Sequence, residues 1–329
     1  MSTGLPKFDY PCLLGDIGGT NARFALFIDG AVTQMQVLNG GEFATIADAA
    51  RAYLSQVECD SPRAAAIDIA APLTGDEVRM TNHNWQFSIA ALRKELNLER
   101  LILLNDFTAL AMSLRHLPRD EVMQLGGAQA VADASIALIG PGTGLGVSGL
   151  IPSNGAWTPL QGEGGHVSLP ACNERESAVI AVLRKRFTHV SAERAISGPG
   201  LVNVYSALCL IDGIADRDLH PNDITARAMA NSDAQCVEAL QLFCAMLGSV
   251  AGDLALTLGA VGGVYIGGGI VPRLGEYFAR SEFRARFEDK GRYRNFLSPI
   301  PVYVIHSTAA AFYGLSRAFV DSGPRLEAT

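Results

Sequence analysis

The chain has 329 residues, of which 49% are hydrophobic and 18% charged, and its formal net charge is −7. This length and apolar fraction predict one large or two moderate globular domains, and the acidic balance argues against nucleic acid as the main partner. The six cysteines include no C-x-x-C pair, which predicts free thiols in a reducing cytoplasm.

The N-terminal segment "MSTGLPKFDY" has no basic region followed by an apolar core, so we expect no signal peptide. Two stretches without charge, residues 134–162 and 254–271, approach the length of a membrane span. Prolines and glycines interrupt the first stretch, and glycines interrupt the second. We therefore expect buried strands joined by tight loops, and no transmembrane helix.

The first half of the chain begins with strands and continues with alternating helices and strands. Apolar runs at residues 12–14, 24–27 and 32–38 predict three strands, the last two joined by an Asp29-Gly30 hairpin. The following patterns predict a helix at 45–57, a strand at 64–71, a helix opening at Ser88, a strand at 101–104 and a helix at 107–114. This order predicts a mixed sheet with helices on its faces.

The second half of the chain repeats that order, with less similarity in the residues themselves. It predicts strands at 135–139, 147–151 and 156–160, with an Asn154-Gly155 hairpin signal, then helices at 174–186, 200–211 and 232–258. A strand at 263–266, a glycine cluster at 267–269, a strand at 301–305 and a helix at 309–319 complete the pattern. The shared order predicts two related halves.

Each half contains a glycine-rich turn after its first strand, at residues 15–20 (the first glycine turn) and 140–146 (the second glycine turn). The P-loop pattern G-x-x-x-x-G-K-[ST] is missing from the sequence. The spacing G-x-G-x-x-G occurs at Gly144, Gly146 and Gly149, but a strand pattern follows it where a dinucleotide site requires a helix. Two such turns, each with a threonine hydroxyl, predict a clamp for a polyphosphate.

Asp16 places a carboxylate inside the first glycine turn, where it would repel a bare phosphate. A cation between them resolves the conflict, because Mg²⁺ prefers hard oxygen ligands, takes few carboxylates and keeps several waters. The alternative is an ordinary tight turn in which Asp16 bonds neighbouring backbone amides.

Seven motifs occur in order between residues 15 and 306: "GDIGGTNAR", "TNHNW", "NDFTALA", "GPGTGLGV", "GEGGHV", "SAERAISGPGL" and "GGVYIGGGIVPR". Together they resemble the bacterial glucokinases of the proteobacterial type, in the superfamily of sugar kinases, actin and heat-shock-chaperone ATPases. The other large bacterial branch carries a Cys/His zinc motif that this sequence lacks, so no zinc site is expected.

The resemblance implies an α/β protein with the actin-like ATPase (ribonuclease H-like) fold, in which mixed sheets carry helices on both faces. It implies a small domain at 1–116 plus 307–329, a large domain at 117–306, and a ligand cleft between them. It also implies glucose and ATP as ligands, Mg²⁺, and a homodimer.

The resemblance also assigns residues. Asp106 matches the catalytic aspartate, a general base, and Asn105, Glu163, His166 and Glu193 match sugar-binding positions. Asp16 would hold Mg²⁺ through water. The nucleotide-binding positions are Gly15, Asp16, Ile17, Gly18, Gly19, Thr20, Gly142, Thr143, Gly144, Gly268 and Gly269.

The residues by themselves leave structural alternatives open. Asn105 or Asp106 before a helix is commonly an N-cap, and Glu193 is placed for a capping box with Ser191 or for a solvated helix position. The glycines at 267–269 also suit close helix–strand packing.

The function implied by the resemblance is ATP-dependent phosphorylation of glucose to glucose 6-phosphate. Three alternative functions are also considered. The first is a kinase of another hexose, such as fructose or mannose. The second is a sugar sensor or transcription regulator on the same fold, for which the short segment before the first strand leaves no helix-turn-helix. The third is a chaperone-like or filament ATPase, which would not need the motifs "NDF", "GEGGH" and "SAER".

Overall fold

The computed structural model describes residues 8–321 except 60, 61, 72, 74, 81, 82 and 154. Thr81 and Asn82 of the "TNHNW" motif and Asn154 of the predicted hairpin therefore lie outside the described residues.

Strands and helices follow the predicted order along most of the chain. The strands are β1 (Cys12–Ile17), β2 (Asn21–Ile28), β3 (Ala31–Asn39), β4 (Ala64–Ile69), β5 (Glu77–Arg79), β6 (Gln86–Ser88), β7 (Arg100–Asn105), β8 (Val122–Gln124), β9 (Ile136–Pro141), β10 (Leu145–Ser153), β11 (Ala156–Pro159), β12 (Val264–Ile266) and β13 (Val302–Ile305). The helices are α1 (Ile46–Gln56), α2 (Ile89–Glu95), α3 (Asp106–Ser113), α4 (Glu174–Leu183), α5 (Gly198–Asp212), α6 (Pro221–Met229), α7 (Ala234–Leu258), α8 (Val271–Leu274), α9 (Glu276–Ala279), α10 (Phe283–Glu288), α11 (Arg294–Leu297) and α12 (Ala310–Asp321).

Side-chain caps set where several helices begin. Thr45 accepts a hydrogen bond from a backbone amide of α1, and Ser88 and Asp233 do the same for α2 and α7. Ser197 caps α5, which therefore begins at Gly198 rather than at the predicted residue 200.

The chain divides into two compact units. The first unit comprises Met1–Pro118, Gly155–Gln161 and Ser307–Thr329, and the second comprises Arg119–Asn154 and Gly162–His306. The later boundary is the predicted one, the earlier boundary lies two residues beyond the predicted 116, and the segment 155–161 was not predicted to join the first unit.

The first unit contains a five-stranded sheet in the order β3-β2-β1-β4-β7. β1 pairs antiparallel with β2 and parallel with β4, and β4 pairs parallel with β7, as predicted for a mixed sheet. Apolar side chains of α1 and α2 pack on one face, and those of α3 and α12 pack on the other. The contact between α12 and α3 is close, since a Cβ added at Gly314 would lie 1.8 Å from the Ala109 carbonyl oxygen.

Strands of the second unit run in the order β10-β9-β12-β13-β8. β9 pairs antiparallel with β10 and parallel with β12, and β12 pairs parallel with β13. The run β10-β9-β12-β13 has the same order and directions as β2-β1-β4-β7 in the first unit, which confirms the prediction of two related halves. In this unit the sequence patterns did not predict β8, α6 or the short helices α8, α9, α10 and α11.

The helix α7 lies in the core of the second unit. Its 25 residues have the length and hydropathy of a membrane span, but 78% of its most apolar window is buried inside the protein. Cys236, Leu240, Phe243 and Leu247 are each 0% exposed and belong to one apolar cluster. No other helix in the described part of the chain meets both criteria for a membrane span.

A buried ion pair joins α4 to α10 in the second unit. The Glu176 side chain is 0% exposed, and Arg286 donates to it through Nη1 at 2.6 Å and Nη2 at 3.2 Å. The Cys172 amide donates to Glu176 Oε2 at 2.7 Å, and Arg286 also donates to Ser249 Oγ at 2.8 Å. Every charge in this cluster therefore has a partner of opposite charge or a hydrogen bond.

Candidate active site

Acidic and amide side chains gather in the first unit where parallel strands end. Asp16 of β1 is beside Asp68 of β4 in the strand register, and Asn105 is the last residue of β7. Asp16 is 7% exposed and Asp68 is 0% exposed. This edge of an α/β sheet is where ligand groups commonly cluster.

Arg23 is the cation that the structure places against Asp16. The two residues face each other in the antiparallel register of β1 and β2, and Arg23 Nη2 forms an ion pair with Asp16 Oδ2. Burial raises the pKa of Asp16, and the Arg23 charge opposes that rise. The sequence analysis missed Arg23, although a lone charge in the apolar strand "NARFALF" was a usable signal.

Asp68 is a second carboxyl that the sequence analysis missed. No amide or hydroxyl group among the described residues donates to its Oδ atoms, and the Asp16 carboxyl is the hydrogen-bonding neighbour, which requires a proton on one of the two acids. Burial raises its pKa well above the usual range, and the negative charges of Asp16 and Asp106 raise it further. The sequence signal for Asp68 was its position as a single acidic residue within the apolar run "AAAIDIAA".

We expect Asp68→Asn to stabilise the protein at neutral pH, because it removes a buried acid whose ionisation the folded state disfavours. Because the pKa of Asp68 is raised in the folded state, its contribution to the free energy of unfolding is fully present below about pH 4, where the acid is protonated in both states. That contribution is lost as the pH rises. The gain should therefore grow from pH 4 to pH 8 in chemical denaturation. Equal gains at both pH values would contradict this account.

Asn105 and Asp106 lie at the junction of β7 and α3. Asn105 Oδ1 accepts from the amides of Phe107 at 3.0 Å and Thr108 at 3.3 Å, so the capping interpretation is confirmed for Asn105. Its Nδ2 donates to the Ala71 carbonyl at 3.4 Å. Asp106 is half-buried in the first turn of α3, and its Oδ1 accepts from the Phe107 amide at 2.9 Å.

Only residues 18–20 of the first glycine turn connect β1 to β2, because Gly15, Asp16 and Ile17, predicted to lie in the turn, belong to β1. Gly18 donates its amide to the Asn21 carbonyl at 3.0 Å, and Gly19 and Thr20 complete the connection, with Thr20 exposed. Gly15 lies within β1, where an added Cβ would come within 3.2 Å of Ile67 and Phe24. Gly15 thus has a packing role, as does Ile17, which is 1% exposed.

Glu193 reaches the second glycine turn in the second unit. Its Oε2 accepts from the Leu145 amide at 2.9 Å, directly after Gly142, Thr143 and Gly144. Ser191 makes no side-chain capping bond, so the capping-box interpretation of Glu193 is wrong.

Glu163 and His166 lie at the two ends of a short glycine segment, and both are exposed. A Cβ added at Gly165 would lie 2.0 Å from the Leu145 carbonyl oxygen, so this segment contacts the start of β10. The Ala192 amide donates to the Val167 carbonyl at 2.8 Å. The three predicted sugar residues of the second unit therefore lie on adjoining segments.

The glycine cluster at 267–269 also contacts the second glycine turn. Gly268 has a φ of +76°, and an added Cβ would lie 2.4 Å from the Pro141 carbonyl oxygen. The close-packing interpretation therefore holds for Gly268. Gly269 has more room, since its nearest neighbour is the Arg273 side chain at 3.4 Å.

The donor set around Asp16 is suited to Mg²⁺. Asp16 and Asp68 supply buried carboxyl oxygens, and those of Asp68 meet no amide or hydroxyl donor in the described part of the chain. Within the same residues, no group of three or more His, Cys, Asp or Glu side chains is arranged to hold a metal. A site of this kind fits an ion that takes few carboxylates and keeps waters or phosphate oxygens as its other ligands.

Comparisons with known proteins agree with the resemblance in sequence. A family model described as glucokinase matches residues 13–322. A glucokinase from Chromobacterium violaceum is 54% identical over 322 residues, which cover 98% of this chain and 92% of that protein.

Two crystal structures show the fold. A glucokinase from an Antarctic psychrotroph has a TM-score of 0.87 and 34% identity, covering 96% of this chain and 100% of that one. A ROK-family glucokinase from Streptomyces griseus, in complex with glucose and AMPPNP, has a TM-score of 0.62 and 18% identity, covering 93% and 98%. The predicted actin-like α/β fold is confirmed. Because the family model and a relative more than half identical both span nearly its whole length, the chain belongs to the glucokinase family of hexose-phosphorylating enzymes.

Proposed function

We propose that this chain transfers the terminal phosphoryl group of ATP to glucose and releases glucose 6-phosphate and ADP. The observation that carries the proposal is Asp106, half-buried in the first turn of α3, at the sheet edge that also holds Asp16 and Asp68. The glucose and AMPPNP bound by the Streptomyces griseus protein support this choice of ligands.

Asp106 is the proposed general base. Its carboxylate would accept the proton of the attacking sugar hydroxyl, while its Oδ1 keeps the bond from the Phe107 amide that fixes its orientation. Phosphoryl transfer needs little covalent chemistry from the protein, so positioning and charge stabilisation would supply most of the rate.

The sugar would be held by side chains that complement its hydroxyl groups. Asn105 Oδ1 is engaged as a helix cap and one N–H of Nδ2 donates to the Ala71 carbonyl, which leaves the second N–H of Nδ2 to donate to a hydroxyl. Glu163 and Glu193 would accept from hydroxyls, and His166 can donate or accept. A site that pairs each hydroxyl discriminates against analogues that lack one.

The phosphates would be held by the backbone amides of the two glycine turns and by the Thr20 and Thr143 hydroxyls, both of which are exposed. Mg²⁺, when bound with the nucleotide, neutralises phosphate charge. Asp16 would orient water of that ion, with Arg23 fixing the carboxylate on its other side. The homodimer and the cytoplasmic location stay predictions of the resemblance.

The test is ADP release by the purified full chain with ATP and Mg²⁺, measured with glucose, fructose, mannose and no sugar. We expect strong turnover with glucose alone. Turnover with another hexose would support the proposed phosphoryl transfer from ATP and would show that the sugar substrate is not glucose. Sugar-independent ATP hydrolysis, or sugar binding without turnover, would overturn the proposal in favour of a chaperone-like ATPase or a sugar sensor.

A further inference from the structure

One segment of the second unit, residues 193–198, forms hydrogen bonds with both ends of the second glycine turn. Leu145 donates its amide to Glu193 Oε2 at 2.9 Å, and the Gly198 amide donates to the Gly142 carbonyl at 2.8 Å. The turn also closes on itself, with the Gly142 amide 2.8 Å from the Gly144 carbonyl. The conformation of residues 142–145 therefore depends on where residues 193–198 lie.

The backbone of Glu193 is itself fixed. Ser197 Oγ donates to the Glu193 carbonyl at 2.8 Å, and a Cβ added at Gly200 would lie 2.7 Å from that same oxygen. Ser197 also accepts from the Gly200 amide at 2.9 Å as the cap of α5. These contacts hold the main chain at the start of this helix. The Cα of Glu193 therefore has a fixed position, which limits where its side chain can extend.

The Glu193 carboxylate is in close contact with the second glycine turn, so a larger residue in that turn would displace it. A Cβ at Gly144 would lie only 2.5 Å from Glu193 Oε2, so the carboxylate occupies the space that any larger residue would need. Among the described residues only Oε2 of Glu193 accepts a hydrogen bond, which leaves Oε1 to meet a hydroxyl.

We infer that Glu193 is a positioning residue for the second glycine turn, so that the carboxylate proposed to bind the sugar also sets the backbone proposed to bind phosphate. This inference rests on the proposed function. A hydrogen bond to a charged acceptor is worth about tenfold or more in an equilibrium constant, so loss of the Glu193 bond should be measurable at the nucleotide site.

The experiment measures AMPPNP binding by calorimetry with Mg²⁺ and without sugar. We expect Glu193→Ala to weaken AMPPNP binding about tenfold, because Leu145 loses its acceptor. Glu193→Gln should weaken binding less than Glu193→Ala, since its amide oxygen can still accept from Leu145, although without the charge. A wild-type affinity in Glu193→Ala would overturn the inference.

The matched control is Glu163→Ala. Glu163 is the other proposed sugar carboxylate, and it is exposed and makes no capping bond. We expect it to raise the KM for glucose and to leave sugar-free AMPPNP binding at the wild-type value. If both glutamate variants weaken AMPPNP binding equally, the effect is not specific to the Leu145 bond, and the inference fails.

The variant Gly144→Ala tests the same contact from the other side and does not depend on whether Glu193→Ala folds. The new methyl group would displace the Glu193 carboxylate, so glucose binding without nucleotide should weaken about tenfold. Unchanged glucose binding would contradict the inference. Failure of the proposed function is a separate result, since it would appear as wild-type protein that does not turn over ATP with glucose.

Discussion

Asp106→Asn should lower kcat for glucose phosphorylation by about 10²–10⁴-fold, which is the usual contribution of a general base. The KM for glucose should change only a few-fold, because Asn has nearly the same size. Its side-chain oxygen can also keep the bond from the Phe107 amide. Steady-state ADP release at saturating ATP, with glucose varied, measures both quantities.

A matched control for this change is Asp233→Asn, which also replaces an aspartate at the start of a helix. Asp233 caps α7 by accepting from the Cys236 amide at 3.1 Å, and Asn is an equally good cap. We expect the control to keep the wild-type kcat. Near-normal turnover in Asp106→Asn would show that another group takes the proton.

Arg286→Met should cause the largest loss of stability, about 3–5 kcal/mol, because it leaves the Glu176 carboxylate buried without its cation. A loss of this size corresponds to a thermal midpoint lowered by roughly 10 °C or more. The measurement is thermal unfolding followed by circular dichroism. Arg280→Met is the control, since its pair with Glu276 is exposed and should shift the midpoint by less than about 2 °C.

The double variant Glu176→Leu with Arg286→Met distinguishes two effects on stability. One is the loss of the ion pair, and the other is the presence of a buried charge without its partner. Replacing both members of a buried pair by apolar groups is often close to neutral. We therefore expect the double variant to regain most of the lost stability. A double variant as unstable as Arg286→Met would mean that packing around Ser249 and Cys172, rather than the unpaired carboxylate, causes the loss.

Local patterns predicted the longer elements, and they failed for elements that are short or that bury few side chains. The helix α6 has only Ile224 and Ala228 buried, so its apolar stripe is too sparse to recognise. The strand β8 spans three residues and presents no alternation. The relation between the two units was predictable because the second half of the chain repeats the order of elements found in the first half.

Long-range partners limited what could be predicted about the site. Arg23 and Asp68 reach Asp16 through strand register, and a register cannot be read from composition or spacing. The structural alternative for Glu193 was a capping box with Ser191, but its hydrogen-bond partner is Leu145, 48 residues away. The sequence therefore indicated candidate site residues, and the contacts of those residues had to come from the structure.

The position of α12 has a consequence for how the protein is made on the ribosome. Phe312 and Leu315 of α12 are 0% exposed and pack with Leu14 and Phe27 on one face of the first sheet. Residues 119–306, apart from 155–161, belong to the second unit and are translated before this helix. At bacterial elongation rates the first sheet would wait roughly 10–40 s with one apolar face uncovered. We expect nascent chains halted before residue 310 to recruit chaperones and to aggregate when released.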